Sequence, residues 1–168
     1  MSTDPAASVP DHDPSESGPL RLRGADAILA REGQLLGVGP WHRIDAETVR
    51  AFADATGDHQ PIHLDPDAAR VSGLPGPIAH GYLTLALEPQ LVADVVVFEG
   101  FRHAFNYGLD RVRFPASVPV GAFVRAHVVL ASAERRGTDL QIVLDVTVEV
   151  RDGERPACVA RPVRRLVE

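Results

Sequence analysis

The stretch FADATGDHQPIHLDPDAARVSGLPGPIAHGYLTLAL, residues Phe52–Leu87, decides how this chain is read. It opens as the tail of an amphipathic helix and breaks at Gly57. An acid and two histidines, Asp58, His59 and His63, then surround Pro61. A Pro- and Gly-rich segment follows to Pro77, and the stretch closes in an apolar run entered through Ile78-Ala79-His80-Gly81. Just upstream, Asp45 stands where a helix N-cap belongs. Val49, Phe52, Ala53 and Thr56 recur at i, i+3, i+4, i+7, so a helix with one buried face is predicted over Ala46–Thr56. Gly57 supplies its stop. Asp58 to Pro77 is predicted as loop, with one turn near Asp67–Arg70. Ile78–Val97 reads as a helix that is apolar nearly all round and therefore buried, kinked or divided at Pro89.

Outward from this core, Ala25–Gly33 reads as a short helix and PWHRI as a short extended piece. Everything after Ala104 has strand character. Leu140, Ile142, Leu144, Val146, Val148 and Val150 alternate with Gln141, Asp145, Thr147 and Glu149, which predicts a strand with one buried face. RDGE, from Arg151, is a hairpin turn signal, and Pro162 predicts an edge position for the last strand. Helices first and antiparallel strands after give an α+β class, with the apolar helix covering the sheet as in a hot-dog arrangement.

The chain has 168 residues, 45% hydrophobic content and a formal net charge of -6. That fits one domain and argues against nucleic acid or an anionic membrane as partner. The first twenty or so residues, rich in Pro, Ser and Asp, predict a flexible tail, leaving 21–168 as the folded domain. No apolar run reaches the roughly 20 residues of a membrane helix, and a single cysteine, Cys158, fits a reducing cytoplasm.

A carboxylate and an imidazole five residues apart across a rigid proline turn can be aimed at one water, one accepting its proton and the other orienting it. Gly81 falls in the first turn of the apolar helix, where amides lack intrahelical partners and a ligand can come close. Such an amide can hold a carbonyl oxygen as charge builds on it. These parts suit addition of water across a double bond conjugated to a thioester. They suit thioester hydrolysis equally.

The pieces ATGDHQPIHLD, GPIAHGYLTLAL and FNYGLDRVRFPASVPVG together resemble the MaoC-like, (R)-specific enoyl-CoA hydratase family, including its NodN-like branch, over roughly Leu35 to Glu168. The resemblance implies a hot-dog fold and reversible syn hydration of a trans-2-enoyl-CoA to an (R)-3-hydroxyacyl-CoA. It implies that Asp58 and His63 activate the water and that the Gly81 N–H binds the thioester oxygen. It also implies a homodimer, an acyl-CoA or acyl-carrier-protein substrate, and no metal or redox cofactor. Gln60 stands where most members carry Asn, as in the NodN-like branch. Gln60, His80 and Asn106 are candidate substrate contacts, and Tyr107 is a further channel candidate; His80 reads equally as a structural residue bonding a loop carbonyl, and Asn106 and Tyr107 equally as a polar residue and an aromatic in a strand.

Two other readings compete. A hot-dog thioesterase usually carries its acid on the central helix, which here offers only Glu88 and Asp94. A non-catalytic acyl-thioester-binding subunit would be expected to have lost Asp58, His63 or Gly81. A metal site built from His59, His63, Asp65 and His80 is disfavoured by Pro61, which prevents His59 and His63 from stacking on one helix. His42, His103 and His127 receive no role, and Cys158 is expected to be a buried structural thiol.

Overall fold

The computed structural model describes residues 18–168, so the expected tail lies outside the described residues except for its last three. Leu20 already opens the first strand, β1 (Leu20–Arg23), followed by α1 (Gly24–Leu29), β2 (Leu35–Val38) and β3 (His42–Arg43). Next come α2 (Ala46–Thr56), α3 (Pro61–Leu64), α4 (Pro66–Val71), α5 (Gly81–Ala86) and α6 (Glu88–Ala93). The chain ends in strands β4 (Val96–Glu99), β5 (His103–Arg113), β6 (Phe123–Arg136), β7 (Asp139–Val150) and β8 (Cys158–Val167).

The principal sheet runs in the order β2-β6-β7-β8-β5, with β3 also pairing β6, and its β5–β8, β6–β7 and β7–β8 pairs are antiparallel. The alternation predicted for β7 is observed, with Leu140, Ile142, Leu144, Val146 and Val148 buried on one face. Val124, Ala126, Val128 and Leu130 of β6 join them. Each fully buried aliphatic side chain contributes about 1.5–3 kcal/mol relative to leaving it in water. Leu83 of α5 and Leu91 and Val92 of α6 complete the core against this face.

The helix expected over Ile78–Val97 forms only over Gly81–Ala93, in two segments joined at Leu87, with Pro89 in the first turn of the second. Pro89 thus acts where its missing N–H costs least. Val96–Glu99 leaves the helix altogether and pairs in parallel with β1, Leu20 opposite Val96. An apolar run of that length satisfies helix and strand alike, and a partner some seventy residues away decided it.

Two proline readings are also corrected. Pro61 and Pro66 open the short helices α3 and α4 in a region expected to be mostly loop. Their fixed φ suits a first helical position, and Asp65 caps α4 by accepting from the Asp67 N–H at 2.8 Å. Pro162 is not at an edge, because β8 lies between β7 and β5. Its lack of an N–H is accommodated where the ladders are already interrupted. Pairing of β7 with β8 skips from Val143↔Val163 to Val146↔Ala160, and β5 shifts register on both sides of Leu109.

Candidate active site

Asp45 accepts from the Thr48 N–H at 2.8 Å and so starts α2 where the sequence placed it. The helix ends at Gly57, which adopts φ 76°, a left-handed conformation that turns the chain sharply and delivers Asp58 to the next element. Three residues on, α3 begins at Pro61 and turns His63 inward to 8% exposure.

His63 is held from both sides. Its Nδ1 lies 2.7 Å from the carbonyl oxygen of Ile78. A carbonyl can only accept, so Nδ1 carries the hydrogen and Nε2 is left as the bare acceptor. Ile78 is itself pinned, with its N–H donating to the Ile62 carbonyl at 3.2 Å, and the Ala79 N–H donates to Val118 at 2.8 Å. Asp58, His63 and His80 each present one oxygen or nitrogen within 4.8 Å of the others. The predicted carboxylate and imidazole therefore converge.

His63, Gly81, Thr84, Phe114 and Ser117 line a cavity of about 230 Å³. Asp58 is half-buried and stands beside it. Gly81 opens α5 and packs closely. A Cβ there would meet the Phe114 ring at 3.2 Å, so any side chain at this position would have to displace that ring.

The remaining candidates separate. Gln60 is exposed at the N-cap of α3, and its N–H lies 3.4 Å from an Asp58 carboxylate oxygen, a weak contact within the loop. His80 is 2% exposed and does not line the cavity. Its Nε2 lies 2.9 Å from the Asp58 carbonyl oxygen, and its ring stacks on His63 with centroids 3.7 Å apart. Asn106 is not brought to this site. It lines a different cavity of about 320 Å³, together with Leu85, Glu88 and Leu109. Tyr107 is exposed on β5.

The four-residue metal cluster weighed from sequence does not assemble. Asp65 caps α4, and His59 reaches outward to Asp54 at 2.8 Å, whose carboxylate holds its imidazole above the ordinary histidine pKa. In the set that does converge, His63 and His80 are face to face, and each has one ring nitrogen committed to a carbonyl. Cys158 is buried, and burial, with Glu88 nearby, pushes its thiol up to about 11.

Sequence reasoning missed the Ile78 carbonyl, Thr84, Phe114 and Ser117. Thr84 had a visible signal, as a lone hydroxyl one helical turn after Gly81. Phe114 and Ser117 arrive from the loop after β5, and nothing local to them announces the contact.

The chain was compared with known proteins. The family profile described as MaoC like domain matches residues 29–153. The 3-hydroxyacyl-thioester dehydratase Z of Mycobacterium tuberculosis is 45% identical over 141 residues, spanning 83% of this chain and 93% of that protein. Nodulation protein N of Rhizobium leguminosarum is 42% identical over 141 residues, spanning 79% of this chain and 84% of that protein. Among solved structures, the (R)-hydratase from A. caviae involved in PHA biosynthesis superposes with a TM-score of 0.63 at 25% identity, covering 80% of this chain and 96% of that one. These likenesses agree with the hot-dog architecture, and the chain belongs to the MaoC-like dehydratase family.

Proposed function

We propose that the chain is an (R)-specific enoyl-thioester hydratase, working reversibly as a 3-hydroxyacyl-thioester dehydratase. The observation that carries this is the convergence of Asp58 and His63 beside a cavity whose wall includes Gly81. In the hydration direction the Asp58 carboxylate orients a water and the bare Nε2 of His63 takes its proton. The water oxygen bonds to C3, and the C2=C3 electron pair moves toward the thioester carbonyl. The Gly81 N–H receives the developing oxyanion, and the proton on His63 returns to C2. Atoms and charge balance with water as the only co-reactant, so the reaction calls for no metal or redox cofactor. Delivery of both groups from one side of the substrate is the syn course.

The carrier is coenzyme A or an acyl carrier protein, and the thioester class draws support from the name of the mycobacterial relative. No helix among the described residues is long and apolar enough to cross a membrane. A reducing cytoplasm is the proposed location, consistent with one free cysteine. A homodimer is proposed through β5. It ends the sheet order with nearly every residue exposed, Tyr107 at 67%, and such a bare, aromatic-rich edge is a liability unless covered. Light scattering on the wild type should give twice the chain mass and Tyr107→Asp should shift it toward monomer. A monomeric wild type removes this part.

The thioesterase reading loses its candidate acids. Glu88 is buried against Arg164 at 2.7 Å, and Asp94 follows the end of α6 beside His42 at 2.8 Å. Neither lines the His63 cavity. Hydration of crotonyl-CoA, followed by loss of enoyl absorbance with a parallel free-thiol assay, tests the proposal. Asp58→Asn and His63→Ala should each lower kcat by about 10²–10⁴ with no thiol released. Two variants as active as the wild type, or stoichiometric thiol release, would overturn it.

A further inference from the structure

His80 is more deeply buried than His63, lies outside the cavity wall, and yet makes contact with both groups of the proposed acid–base pair. Its Nε2 stands 2.9 Å from the carbonyl of Asp58. That carbonyl can only accept, so Nε2 carries a hydrogen, and in the neutral tautomer this leaves Nδ1 as an acceptor. Nδ1 is buried with no hydrogen-bond partner among the described residues. A buried acceptor without a donor is unfavourable, and an apolar side chain would avoid it. The site therefore retains histidine at a local cost, and the reason must lie in the rest of the ring.

The ring supplies two things at once. Its N–H anchors the backbone of Asp58 across 22 positions of sequence. Its face stacks on His63 at 3.7 Å with 29° between planes, while Phe52 backs it at 5.1 Å. His80 is also the N-cap residue of α5, directly before Gly81, so one side chain ties the acid, the base and the start of the amide-bearing helix together.

We propose that His80 is the positioning residue of this site, fixing Asp58 through its backbone carbonyl and His63 through ring stacking without touching substrate. This rests on the hydratase reading above and, of the two expectations for His80, takes the carbonyl-bonding one over substrate contact. His80 makes both contacts with one ring. Gln carries an amide N–H to about the same reach, Phe carries the flat face, and Leu carries neither.

The test compares crotonyl-CoA hydration by wild type, His80→Gln, His80→Phe and His80→Leu, with folding checked by circular dichroism. His80→Leu should lose about 30- to 100-fold in kcat, the scale of a misplaced catalytic group, while KM stays within about twofold. Gln and Phe should each recover part of that loss. If His80→Leu does not fold, the comparison rests on Gln and Phe, each of which should lie between about 3- and 30-fold below wild type in kcat with KM unchanged. Wild-type kcat in His80→Leu, a loss carried by KM, or Gln and Phe variants no better than Leu would each overturn the inference. Nitrogen-15 NMR of the wild-type imidazoles gives a readout independent of turnover. Protonation of His80 at Nε2 is expected, and the opposite tautomer would refute the anchoring bond. A wild type inactive on every enoyl thioester would count against the hydratase reading instead, leaving the ring geometry testable.

Discussion

Gly81→Ala separates the two reasons for having a glycine at the head of α5. The new Cβ would stand 3.2, 3.3 and 3.4 Å from Cγ, Cδ2 and Cδ1 of Phe114. Carbon atoms rest at about 3.5–4.0 Å, so the ring must retreat by a few tenths of an ångström. Phe114 is 40% exposed and can move. Gly81 does not have a positive φ, so alanine fits the backbone, and in a helix it gains up to about 1 kcal/mol over glycine. Relief of the contact and the gain in propensity nearly cancel. The expected change in stability is within about 1 kcal/mol, a shift in Tm of roughly 2–4 °C for a domain of this size. Turnover has no such compensation, because the methyl group stands beside the amide and pushes Phe114, itself part of the cavity wall. An enoyl-CoA hydration assay should show kcat/KM reduced by about 10- to 100-fold, equal to about 1.4–2.7 kcal/mol of transition-state stabilisation. Adding Phe114→Leu should restore part of the loss, since the two side chains are in direct contact and couple. A variant that keeps more than half of wild-type kcat/KM would refute the placement of the thioester oxygen at the Gly81 amide. A fall in Tm beyond about 10 °C would show that packing alone explains the glycine.

Other outcomes follow from the same structure. The Thr48 N–H and hydroxyl at Asp45 hold its carboxyl below the ordinary aspartate value. A carboxyl with a lowered folded pKa stabilises fully above about pH 4 and loses that contribution as pH falls through the folded value. Asp45→Ala should therefore lower Tm at pH 7 by more than at pH 3, and an equal loss at both would contradict the capping role. The Cys158 thiol, pushed up to about 11 by burial, should resist alkylation at pH 8 in the native protein and react on denaturation. Rapid labelling of the folded chain would contradict its burial. Leu144→Ala, a fully buried position on β7, should cost about 2–5 kcal/mol in denaturant titrations, and a loss below 1 kcal/mol would show that the site collapses around the gap.

What could be read from sequence was local. Asp45, the i, i+3, i+4 face and Gly57 delimit α2 because each acts within a turn of its own position. The β7 alternation was legible because a strand half buried in a core has a period of two. Asp58 and His63 were legible because a short turn and a helix-opening proline determine their separation. The rest depended on distant partners. Val96–Glu99 became a strand because β1 lies beside it. Pro162 sits inside the sheet because β5 covers the flank expected to be open. Asn106 was a candidate substrate contact, and its strand lines the other cavity and contributes no residue to that of His63. His80 was legible as a residue that either bonds a loop carbonyl or touches substrate, and it took the fold to choose the first and to name the carbonyl as that of Asp58.

The break at Leu87 divides labour along the central helical segment. Gly81 and Thr84, which meet the cavity, ride on α5, whereas Leu91 and Val92, which fill the core, ride on α6. Repacking the second piece should tune heat tolerance while leaving the chemistry alone, whereas the first carries the core residue Leu83 as well as the cavity residues. A protein engineer would thus find, past the division that Pro89 announces in the sequence, a dial for stability separate from turnover.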